Sequence, residues 1–166
     1  MRLVLFRHGL AVDRAEFLKA KGDDALRPLV PKGRERTIEM AQVLKEWQPD
    51  FDLIVTSPFL RSQQTAKILS KELKISNLFE CAEMAPSAPV TAFAQWLQVH
   101  ADDSRAVLAV GHEPQLSTFA CWCLSGQRES FIDLKKSGML ALELESFAHI
   151  KPGTAQLSWH ISPKLL

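Results

Sequence analysis

The sequence predicts a three-layer α/β/α fold around a mostly parallel central sheet, and three observations point to it. Short apolar runs that end in small or polar residues recur at 3–6, 51–57 and 105–111, the form of strands covered on both faces. Segments with helical apolar spacing lie between them. Strands alternating with helices imply crossover connections, and hence parallel strands. At 166 residues, 46% hydrophobic and 23% charged, the chain is expected to form a single domain over 1–166.

Leu3 to Phe6 form the first apolar run, which Arg7, His8 and Gly9 close. Residues 10–32 mix charges with Gly22, Pro28 and Pro31, so an irregular or partly helical excursion from the sheet is expected. Over 33–47, Ile38, Ala41 and Leu44 share a helical face. The run 51–57 is the second strand, and over 60–73 Ala66, Leu69 and Leu73 mark the second helix. Residues 85–89 are a loop punctuated by Pro86 and Pro89, and over 92–100 Phe93, Trp96 and Leu97 mark a third helix. The run 105–111 is followed by Pro114, suited to a first helical turn, and by a stripe of Leu116, Phe119, Ala120, Cys123 and Leu124 that stops before Gly126. Residues 138–146 and 155–161 read as further strands, the first with Glu143 and Glu145 alternating against Leu142 and Leu144.

A net charge of +1 gives no overall attraction to nucleic acid or to a membrane. No segment reads as a membrane span, and the apolar run before Arg7 is shorter than a signal-peptide core, so a cytoplasmic protein is expected. Cys81, Cys121 and Cys123 form no C-x-x-C pair and read as reduced structural thiols.

Ligands of open α/β sheets bind beyond the carboxyl ends of the strands. Three polar motifs stand there: Arg7-His8-Gly9, Ser57 to Arg61, and Gly111-His112-Glu113. If those strands are neighbours, Arg7, His8, Arg61 and His112 share one crevice. Two guanidinium forks suit a phosphoryl group, and a first-turn position would add the helix N-terminal field to Arg61. Among such cations an imidazole tends to stay neutral, which leaves His8 a ring nitrogen able to attack phosphorus. In-line displacement would give phospho-His8, which water then hydrolyses. Arg7, Arg61 and His112 would neutralise the phosphoryl charge, so no metal or cofactor is expected, and neither a clustered metal-ligand set nor a glycine-rich phosphate loop is present in the sequence.

The stretches LVLFRHGLA, RPLVPKGRE, FDLIVTSPFLRSQQTA and VLAVGHEPQL together resemble the histidine phosphatase superfamily, also called phosphoglycerate-mutase-like, and in particular its short SixA-type phosphohistidine phosphatases. The ordered set is far more specific than the R-H-G triplet alone. The resemblance implies that His8 is the phospho-acceptor and that Arg7, Arg61 and His112 form the phosphate pocket. It further implies that Arg27 borders the site and that Ser57 and Thr65 support or line it.

Longer relatives in this superfamily carry insertions that cover the site, for which this chain has little spare length. The family places a proton-donating carboxylate between the second arginine and second histidine motifs. Glu80 and Glu83 stand in that interval, with Glu83 as the candidate donor, but the surrounding FECAEMAPSAP does not match the mutase pattern. A phosphohistidine substrate has the lesser need of an acid, so the expected function is a phosphohistidine phosphatase acting on a signalling or phosphorelay protein. The alternatives are a small-molecule phosphomonoesterase and a non-catalytic phosphate-binding module, against which an intact His8 argues. Lys135 or Lys136 is a candidate to guide an acidic partner, although a solvated charge pair is the favoured reading. His100, His149 and His160 receive no role, and Trp47, Trp96, Trp122 and Trp159 read as packing residues.

Overall fold

The structure is a computed structural model that describes residues 1–48 and 50–165. Its strands are β1 (Arg2–Arg7), β2 (Leu53–Thr56), β3 (Leu78–Glu80), β4 (Ala106–Gly111), β5 (Met139–Glu143) and β6 (Gln156–Ile161). Its helices are α1 (Arg14–Lys19), α2 (Pro31–Trp47), α3 (Leu60–Leu73), α4 (Val90–His100) and α5 (Gln115–Ser125), with short 3₁₀ turns at Asp24–Leu26, Ala82–Met84 and Pro163–Leu165. No helix among the described residues is long and apolar enough to cross a membrane.

One sheet runs in the order β3-β2-β4-β1-β5-β6. The pairs β3–β2, β2–β4 and β4–β1 are parallel, whereas β1–β5 and β5–β6 are antiparallel. The steps from β1 to β2 and from β2 to β3 run one way along the sheet, through α2 and α3. The step from β3 to β4 runs back through α4. Right-handed crossovers require opposite faces for opposite directions, and the core divides accordingly. On one face Met40, Leu44, Ala66 and Leu69 pack with Val4, Phe6, Ile54 and Leu108. On the other, Phe93, Leu97, Leu116 and Phe119 pack with Leu3, Leu5, Val55 and Val107. Successive residues of β1, β2 and β4 thus serve opposite layers, which is why these runs show no polar alternation.

Because β4 lies between β2 and β1, the ends of all three open side by side. The excursion after β1 is clamped over that edge. An isolated bridge joins Ala11 to Leu29, and Val30 N–H donates to Leu10 O at 3.0 Å. Two glycines allow the α2 N-terminus to approach closely. A Cβ on Gly33 would lie 2.0 Å from Leu10 O, and one on Gly9 would lie 2.7 Å from Thr37 Oγ1. Gly9 serves close packing here, since the positive-φ glycines are Gly126 and Gly153.

Candidate active site

A cavity of about 410 Å³ opens at this edge, and Arg7, His8, Arg27, Arg61 and His112 line it together with Asp24 and Glu113. The side chains expected to converge do so.

His8 is 5% exposed. Its Nδ1 lies 2.7 Å from Gly9 O, an atom that only accepts, so Nδ1 carries the proton. Nε2 is then a lone pair, and it accepts from Arg61 Nε at 3.2 Å. Burial lowers the pKa of His8 to about 3, with Arg61, Arg7 and Arg27 adding to the effect against the Gly9 hydrogen bond. His8 is therefore a neutral imidazole with its basic nitrogen among cations.

Ser57 Oγ accepts from Phe59 N at 3.3 Å and lies 2.7 Å from His112 Nε2. Ser62 Oγ lies 3.2 Å from the same nitrogen. The other ring nitrogen of His112, Nδ1, is buried and has no protein partner. Burial, and then the nearby His8, lower the pKa of His112 to about 2. The two rings lie 5.0 Å apart.

Arg61 sits in the first turn of α3 and is 4% exposed. Its Nη1 donates to Asp24 O at 2.7 Å and its Nη2 to Asp24 Oδ2 at 3.2 Å. Thr65 ties that turn to the His8 loop, donating to Arg61 O at 2.8 Å and accepting from Gly9 N at 3.1 Å. Arg7 donates to Leu134 O at 2.8 Å, while its buried Nε has no partner. Arg27 reaches Asp24 Oδ1 at 3.0 Å and Val12 O at 2.8 Å.

Two expected contacts lie elsewhere. Ser57 is fully buried behind His112 and does not line the cavity. It orients the ring from the back, because its hydroxyl is used by Phe59 and His112. Glu83 is also absent from the lining, and its Oε2 accepts from Cys81 Sγ at 3.3 Å. Glu80 accepts from Gln63 Nε2 at 2.6 Å and lies outside as well.

The carboxylates that do reach the cavity had no role in the sequence reading. Asp24 is the hub of the guanidinium cluster, paired with Arg61, Arg27 and Arg14. Burial alone would raise its pKa, but these three cations hold it below the ordinary value. Glu113 accepts from Ser117 N at 3.0 Å, and burial raises its pKa against the pull of that bond and of Arg7. The only sequence signal for Glu113 was its place in the V-G-H-E stretch.

Residues 3–85 match the histidine phosphatase superfamily (branch 1). The chain belongs to that superfamily. An uncharacterised protein of Picosynechococcus sp. is 36% identical, covering 99% of this chain and 93% of its own. The phosphohistidine phosphatase SixA of Escherichia coli K12 is 25% identical over 98% of this chain and 94% of its own. A structure of the protein histidine phosphatase SixA complexed with tungstate superposes with a TM-score of 0.83 at 25% identity, covering 99% of both chains. The α-ribazole phosphatase of Shigella flexneri shares the fold, with a TM-score of 0.72 at 18% identity over 98% of this chain and 97% of its own. The protein is thus a histidine phosphatase superfamily phosphatase of the SixA type.

Proposed function

We propose that the protein is a phosphohistidine phosphatase working through phospho-His8, on a histidine-phosphorylated protein. The observation that carries this reading is the neutral His8 ring, with its Nε2 lone pair held by Arg61 inside a cage of Arg7, Arg27 and His112. In the first step Nε2 forms a bond to phosphorus as the bond to the leaving nitrogen of a substrate imidazole breaks. That imidazole is already protonated from solvent at its other ring nitrogen, so it departs neutral. The Arg61 Nε–H is released from His8 and turns to a phosphoryl oxygen, where the His112 Nδ1–H and Arg7 Nε also donate. Water then attacks phospho-His8, restoring the ring and releasing phosphate. Likeness to SixA along nearly the whole chain supports a phosphoramidate substrate.

A second reading, a small phosphate monoesterase, is favoured by Glu113. An alkoxide leaving group needs a proton, and a half-buried carboxyl with a raised pKa can supply one from inside the cavity. Comparing kcat/KM on free phosphohistidine and on alkyl phosphates separates the two. The favoured reading predicts phosphohistidine ahead by about 10²-fold or more, as expected of a good leaving group; the reverse order rejects it.

A further inference from the structure

A second groove adjoins the phosphoryl cavity. It has a volume of about 400 Å³ and shares Arg7, Leu10 and Lys136 with the cavity as common wall. Lys32 and Arg36 reach it from the first half of α2, Lys135 and Lys136 from the turn before β5, and Lys164 from the turn after β6. Among the described residues no Asp or Glu lines it. Topology explains the gathering. β5 runs antiparallel to β1, so its entry and the exit of β6 meet at the edge where β1 delivers His8, with Phe6 opposite Met139 and Met139 opposite Ile161. The phosphoryl cavity and the basic groove are thus neighbours along one rim of the sheet.

Neutralisation of this cluster is incomplete. Arg36 pairs with Glu39, and Lys135 with Asp133. Lys32 and Lys136 have no ion pair among the described residues. For a chain with a net charge of only +1, this is a local concentration of charge, and such a concentration attracts an anionic partner.

We infer that this groove is the docking surface for an acidic face of the phosphorylated substrate protein, lying beside its phosphohistidine. The inference rests on the phosphohistidine reading above. A polypeptide is favoured over nucleic acid because no aromatic side chain among the described residues lines the groove to stack a base. The apolar part of the wall, Leu10, Pro163 and the lysine stems, suits side-chain packing.

The test uses the full chain and three substrates: free phosphohistidine and two synthetic phosphohistidine peptides, identical except for Glu or Gln flanks. At low salt, kcat/KM for the Glu-flanked peptide should exceed that for the Gln-flanked one by about tenfold or more. High salt, or the K32E/K164E double variant, should erase that advantage while leaving free phosphohistidine unchanged. Equal rates on the two peptides would overturn the docking surface while leaving the catalytic reading intact. Hydrolysis of p-nitrophenyl phosphate with none of any phosphohistidine substrate would overturn both. Stronger inhibition by a single-stranded DNA oligonucleotide than by polyglutamate of equal charge would reassign the groove to nucleic acid and overturn the inference.

Discussion

Lowering the pH from 7.5 to 5.0 should destabilise the fold through His8 and His112. Both are buried and neutral, with pKa values brought from 6.5 down to about 3 and about 2. Between pH 6.5 and about 3, protons bind these rings in the unfolded chain and not in the native one, so stability is full above 6.5 and falls as pH drops. Each pH unit is about 1.4 kcal/mol per ring. At pH 5.0 each histidine therefore costs about 2 kcal/mol, and the pair about 4 kcal/mol, out of a typical total of about 5–15 kcal/mol. The figure is insensitive to the native pKa values, provided both stay well below 5. Urea denaturation at the two pH values, followed by tryptophan fluorescence, reads the effect. The wild type should lose about 4 kcal/mol more than the H8Q/H112Q variant, which retains every other titrating group. Equal losses would refute the neutral-ring assignment.

Arg61→Lys keeps the charge but removes the fork that spans His8 and Asp24, so kcat/KM should fall by about 10²–10³-fold in steady-state assays. Glu113→Gln keeps an acceptor for Ser117 N while removing the proton; it should slow an alkyl phosphate about 10²-fold and leave p-nitrophenyl phosphate nearly unchanged, and equal losses on both would reject the donor role. Gly33→Ala forces a methyl to 2.0 Å from Leu10 O, and calorimetry should show destabilisation of about 3 kcal/mol or more.

The parallel part of the fold was legible because Leu3 to Phe6, 53–57 and 106–111 are buried on both faces and carry no competing pattern. The sequence reading missed β3, which is three residues long, lies at the sheet edge and leaves Phe79 half exposed, so it has neither length nor alternation to reveal it. It also started α2 two residues late, because Pro31 at the first helical position was read as a loop residue. The meeting of Arg7, His8, Arg61 and His112 followed from strand ends on the condition that the strands are neighbours, which the order β2-β4-β1 meets. Asp24 had no such anchor. A carboxylate in an irregular stretch has no period, and the 10–32 excursion places it over the cavity through contacts such as the Ala11–Leu29 bridge. Ser57 and Glu83 were placed near the site by their positions in the family's pattern, but where each side chain points depends on its partner, His112 for one and Cys81 for the other.

The most direct test of the central claim is to mix the enzyme rapidly with a ³²P-labelled phosphohistidine substrate, quench in alkaline detergent, and locate the label by mass spectrometry. The account predicts an acid-labile, alkali-stable phosphoryl group on His8 Nε2 that forms and decays within turnover, and none in His8→Ala. Turnover at an undiminished rate in His8→Ala, or a phosphoryl group trapped on another residue, would contradict it.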